Sequence, residues 1–155
     1  MLVEVEDLIV HFKFNKFNQS PEDLKIVKDW AARHKNIVAP ADITVSGHTD
    51  IIDTHNYNKW LSERRAAAVV KILQEQGISV DKSNISGKSF DHPVAEKKSN
   101  LGRAKNRRTE VLVRGDKYKV KGIVETGVIP QTPKELAAKR KKAKPMPETE
   151  GEAKK

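Results

Sequence analysis

An α+β fold, with a mixed four-stranded sheet and helices packed on one of its faces, is predicted for this 155-residue chain. Two observations point there. Short segments of alternating apolar and polar residues are interleaved with helical segments in the order βαβαβ(α)β. The long helix between the second and third strands is a right-handed crossover, which makes those two strands parallel.

Taken in order, VEVEDLIVHFKF at residues 3–14 alternates well at Val10, Phe12 and Phe14 and reads as the first strand. A helix follows, with Ser20 as N-cap, Pro21 at the first helical position and Asp23 completing a capping-box pattern. Leu24, Val27, Ala31 and His34 trace its inner face, and Trp30 beside them is read as a packing residue. After Pro40, ITVSG at Ile43–Gly47 is the second strand, a polar loop follows, and an amphipathic helix runs from about His55 to a left-handed C-cap at Gly77. SNISG at Ser83–Gly87 reads as a third strand. LGRAKN is a short helix, and RTEVLVR at Arg108–Arg114 is the last strand of the four. Beyond residue 115, YKVKGIV alternates and could add a strand, PKELAAKRKK could form a helical turn or two, and KRKKAKPMP with the Glu/Lys end reads as a flexible tail. The organisation is therefore a domain at 1–115 and a basic extension at 116–155.

The central stretch carries the chemistry. Leu61, Ala68, Val69, Ile72 and Leu73 define the core-facing stripe of the long helix, and Arg65 falls on it, four residues after Leu61 and four before Val69. Arg64 is rotated about 100° away. Asn58, Leu61 and Arg65 form one line from the loop toward the core. A buried arginine needs an anion, and that anion could be Asp50 on the preceding loop, another carboxylate, or a ligand. If Asp50 and Arg65 face one cavity, they offer a cation site beside an anion site, which suits a zwitterion.

GHTD at Gly47–Asp50, NYNKWLSERRAAAV at Asn56–Val69 and GRAKNRRTEV at Gly102–Val111, in that order and spacing, resemble the OmpA-like peptidoglycan-binding domain of OmpA-type outer-membrane proteins, Pal lipoproteins and MotB-type stator proteins. The likeness covers about residues 10–114. It implies non-catalytic binding of the peptidoglycan stem peptide, with Asp50 holding the ammonium of the diamino acid and Arg65 its carboxylate. It also implies that Thr49, Asn58, Leu61, Asn106, Arg107 and Arg108 line or support the pocket; the alternative for Asn106–Arg108 is a solvated helix end capped by Asn106, and strand alternation points Arg107 and Arg108 to different sides. Lys13 stands where the family commonly has an acidic or amide residue, and no role is carried over to it. Asp53 stands where the family commonly has glycine. Aspartate tolerates a left-handed backbone there, can cap the following helix, and puts a second carboxylate near the ammonium site.

Composition bounds the partners. The net charge is +9, with charged residues at 33% and hydrophobic residues at 37%; residues from Lys134 onward carry +4 of that charge. Such a surface favours polyanions: nucleic acid, acidic headgroups, or cell-wall polymer with free carboxylates. Aromatic residues are only 5%, and no stacking platform or recognition-helix motif is present, so nucleic-acid binding through the tail is the non-specific alternative. A metal-dependent hydrolase using His48, Asp50, Asp53 and His55 is a weaker alternative, since those ligands would share one short loop. Ser62 lacks an elbow motif around it. No cofactor and no enzyme activity are expected. The chain has no cysteine and no signal-like start. The resemblance implies the periplasm, so the chain is expected to be a piece of an exported protein whose cis partner is its own parent membrane protein.

Overall fold

Alternation drives the sheet. Leu8 and Val10 of β1 (Val3–His11), Ile43 and Val45 of β2 (Ile43–Gly47), and Val111 and Val113 of β4 (Arg108–Val113) are all buried in one core. The structure, a computed structural model, describes residues 1–141; the flexible tail expected from KRKKAKPMP onward lies almost wholly outside the described residues. With β3 (Ile85–Gly87) and β5 (Tyr118–Glu125) the sheet order is β3-β2-β4-β1-β5. β4 is antiparallel to both β1 and β2, and β2 and β3 are parallel. The sheet therefore has five strands and not the expected four, because β5 pairs in parallel with the edge of β1 that β4 leaves open.

Two long helices cover the core face. α1 (Pro21–His34) starts at Ser20, whose hydroxyl accepts from the Asp23 amide. Trp30 is fully buried, stacks on His34 at 4.2 Å and donates its indole N–H to the Glu6 carbonyl. α2 (His55–Glu75) lies so close over β2 that a Cβ on Gly47 would sit 1.9 Å from the Ser62 carbonyl oxygen. Only glycine permits that approach. Gly77 ends α2 with φ +95°, as its place after the apolar stripe predicts.

Several boundaries differ from those expected, β4 ending at Val113 among them. β3 begins at Ile85 because Lys82–Asn84 forms one 3-10 turn, α3 (Asn100–Asn106) begins one residue early behind the Ser99 cap, and β1 ends at His11. The extension continues past β5 through residues 126–132 into α4 (Pro133–Lys141). None of the described helices is long and apolar enough to cross a membrane.

Candidate functional site

The sheet brings one set of strand ends to a single edge. Pairing of His11 with Arg108 and of Gly47 with Thr109 puts the carboxyl ends of β1 and β2 beside the start of β4. Two further backbone bonds tie the chain just beyond the ladder, Phe12 N–H to the Arg107 carbonyl and His48 N–H to the Arg108 carbonyl. The residue before β4 and the loop after β2 thus face each other, as strand ends outside the sheet interior commonly do at ligand sites.

Asp50 sits there, 4% exposed, with one carboxylate oxygen accepting from the Ile52 amide. Its other oxygen accepts from Arg107 Nη1 at 3.0 Å. Arg107 is fully buried, and its remaining donors go to the carbonyls of Phe12 at 3.0 Å and Ile129 at 2.7 Å. Arg65, also fully buried, donates to the carbonyls of Lys16 (2.8 Å), His48 (3.0 Å) and Lys13 (3.3 Å), with the Phe12 ring 5.2 Å from its guanidinium carbon. The open question of Arg65's partner has a specific answer: three backbone carbonyls bind it directly, and Asp50 acts on it only through its field. Burial pushes Arg65 down to about 9, Asp50 opposes the fall and Arg107 adds to it; Arg107 is lowered for the same first reason. Both remain cationic at neutral pH. Asp50 and Arg65 are therefore both buried and both held by partners within the protein.

The supporting residues fix loops. Asn58 donates its side-chain amide to the Ile52 and Thr54 carbonyls, closing the loop after β2 onto the first turn of α2, and the Thr49 hydroxyl donates to the Asp50 carbonyl. Asp53 adopts φ +81°, the left-handed conformation its position calls for, but it does not cap the helix: Thr54 does, accepting from the Tyr57 amide, while Asp53 accepts from the Thr54 amide. Leu61 is buried. Asn106 accepts from the amides of Val94 and Ala95 and so pins the β3–α3 loop. Arg107 points at Asp50, whereas Arg108 turns to Glu110 at 2.7 Å and the His92 carbonyl at 3.0 Å. The Lys13 side chain is exposed and only its carbonyl meets Arg65.

His48 belongs to a different cleft, of about 560 Å³, lined by Ser46, His92, Arg108 and Glu110 among others. Its Nε2 bonds to the Ser46 hydroxyl at 2.9 Å, and burial with the nearby Arg108 pushes it down to about 3. His55 pairs with Asp91 at the surface. Ser62 donates to the Lys59 carbonyl and accepts from the Ser89 amide. Among the described residues no group of three or more His, Asp or Glu side chains is placed to hold a metal ion.

Two residues escaped sequence reasoning. Tyr57 is buried next to Arg65, its hydroxyl donates to the Asn15 side chain, and burial pushes it up to about 12. Its place four residues before Leu61, on the same helix face, was a usable signal. Ile129 contributes through its backbone carbonyl, which carries no side-chain signature.

The OmpA family model matches residues 11–107, a span that holds Asp50, Asn58, Arg65 and Arg107 but not Arg108 or Ile129. Outer membrane protein A of Bordetella avium is 37% identical over 106 residues, which is 68% of this chain and 54% of that protein, so the chain spans about half the length of this curated relative. Among solved structures, the peptidoglycan-associated lipoprotein from Burkholderia pseudomallei superposes with a TM-score of 0.58 at 24% identity, over 68% of this chain and 89% of that one. The cell wall anchor of the T6SS from Pseudomonas aeruginosa gives 0.54 at 27% identity, over 68% and 76%. Nothing in these comparisons supports the nucleic-acid or hydrolase alternatives.

Proposed function

The chain belongs to the OmpA family, and from that premise we propose that it binds peptidoglycan without catalysis, through the diamino acid of the stem peptide, and so holds a parent membrane protein to the cell wall from the periplasmic side. In this reading Asp50 takes the ammonium and Arg65 the carboxylate of the ligand, with Arg107 positioning Asp50.

One observation carries it. The buried set contains two guanidinium groups, Arg65 and Arg107, and a single carboxylate, Asp50. Neutral carbonyls satisfy the remaining donors but do not balance the charge, and uncompensated charge in a low-dielectric place is costly. A zwitterion corrects this locally. Its carboxylate supplies the negative charge that a neutral carbonyl lacks and can accept two parallel guanidinium N–H bonds, and its ammonium is matched by Asp50. The names of two solved relatives, a peptidoglycan-associated lipoprotein and a cell wall anchor, support a cell-wall ligand in general.

The test is co-sedimentation with insoluble, protein-free peptidoglycan sacculi at neutral pH. The domain should pellet with sacculi, free stem peptide carrying an unblocked diamino acid should release it, and no soluble muropeptides should appear above a buffer control. A folded protein that stays in the supernatant overturns the reading.

A further inference from the structure

The segment that follows β5 lies outside the stretch matched by the family model, yet it reaches the Asp50 site. We propose that residues 126–131 form a fixed strap whose Ile129 carbonyl positions Arg107, and through Arg107 aims the Asp50 carboxylate at a ligand ammonium. This rests on the ligand reading of Asp50 given above.

The strap is fastened on both sides of Ile129. On one side, the Thr126 amide donates to the Ile9 carbonyl at 3.0 Å, the Thr126 hydroxyl accepts from the His11 amide at 2.7 Å, and His11 Nε2 lies 2.6 Å from Glu125. On the other, Asn100 and Gln131 exchange two bonds: the Asn100 side chain donates to the Gln131 carbonyl at 2.8 Å and accepts from its amide at 2.9 Å. Thr126 and Gln131 are buried. Pro130 follows Ile129 and restricts it to extended backbone, which fixes the direction of the carbonyl. Ile129 also walls a small cavity of about 70 Å³ against Lys13, Asn18, Ser20 and Asp23, so the strap abuts the β1–α1 loop as well.

The consequence follows from the planar fork of arginine. Three partners hold that plane: the Phe12 carbonyl at Nε, Asp50 at Nη1 and the Ile129 carbonyl at Nη2. Asp50 has only two partners of its own, Arg107 and the Ile52 amide. If Ile129 is released, Arg107 gains a rotation and an unsatisfied buried N–H, and Asp50 loses its alignment. Double anchoring and the pre-proline restriction identify a fixed wall, not a lid that must open.

The experiment uses the full chain, so length and tail charge are constant. Ile129→Gly combined with Pro130→Gly frees the carbonyl, Asn100→Ala unties one end, and Ile123→Ala, at an exposed position of β5 outside the strap, is the control. Affinity for a synthetic stem tripeptide ending in free diaminopimelate should fall about tenfold or more in the double variant, several-fold in Asn100→Ala, and less than twofold in the control. In the ligand-free protein the Arg107 Nε–H signal in ¹H–¹⁵N NMR should exchange slowly in wild type and fast in the double variant. A folded double variant that binds within twofold of wild type, or more tightly, overturns the proposal, as does an unchanged Arg107 signal. A wild type that ignores the peptide while the double variant still frees Arg107 retains the positioning role and removes the ligand reading.

Discussion

Arg65 and Arg107 are both fully buried, but the sequence exposes them to inference unequally. Arg65 sits inside a long helix, where a period of 3.6 residues assigns each side chain a face, so its place on the apolar stripe was readable. Arg107 sits between α3 and β4 with φ −79° and ψ 89°, where neither helical nor strand period applies. Its pairing with Asp50 therefore needed coordinates. That pairing changes what a substitution reports. Asp50→Ala strands a buried guanidinium and should cost about 3–5 kcal/mol, so a fall in melting temperature would not by itself argue against ligand binding. Asp50→Asn keeps the shape and most hydrogen bonds; it should unfold at a temperature closer to wild type while losing sacculus binding. Arg64→Ala should retain binding, because Arg64 lies over Trp60 on the outer side of α2. Retained binding in Asp50→Asn, or equal loss in both variants, would contradict the assigned roles.

His48 gives a second test at this scale. The folded state holds the ring neutral down to about 3 through burial and Arg108, whereas the unfolded chain protonates near 6.5. The unfolded state therefore binds the extra proton. Stability that is present above 6.5 should be lost as pH falls toward 3, at a slope of about 1.4 kcal/mol per pH unit. His34, also lowered by burial, adds to the slope with the same sign. Thermal melts of wild type and His48→Asn between pH 4 and 7 check this: the variant should show the shallower dependence, and an equal slope would contradict the assignment.

Among the elements, those with a buried stripe were legible and the exposed ones were not. α1, α2, β2 and β4 each bury apolar residues at a regular period, and the two helices start at the side-chain caps Ser20 and Thr54. β5 reads only as alternation, because it is an edge strand with Val120 and Ile123 exposed, and a register shift opposite Val5 and Glu6 leaves Lys121 between the paired Val120 and Gly122. Nothing in YKVKGIV specifies that its partner is β1. The contact of α2 with β2 makes the sharpest prediction about an element. Gly47→Ala puts a methyl against the backbone of α2 at Ser62, which cannot swing away, and should destabilise by about 2–3 kcal/mol or more in chemical denaturation. A loss below about 0.5 kcal/mol would mean that helix and strand are not packed this closely.

At the scale of the whole molecule, net charge misleads and topology informs. A charge of +9 is compatible with several polyanions, and nearly half of it lies in the segment from Lys134 onward. The sheet, by contrast, delivers Asp50, Arg65 and Arg107 from the loop after β2, from α2 and from the start of β4 to one buried place. Residues 47–69 and 102–111 carry those three residues in an ordered pattern, which is why their nomination was legible while the Asp50–Arg107 pairing was not. The strap was not, because its part is played by a main-chain carbonyl. Attraction by surface charge and recognition by the buried set also differ in what they demand of the ligand. The most direct test varies the ligand's charges and leaves the protein untouched: calorimetric titration with three stem tripeptides, one ending in a free diamino acid, one with that residue's side-chain amine acetylated, and one with its carboxylate amidated. The free form should bind, and each blocked form should lose at least about tenfold in affinity, since acetylation removes the ammonium matched to Asp50 and amidation removes the carboxylate that balances the excess guanidinium charge. Equal binding of all three would contradict the account.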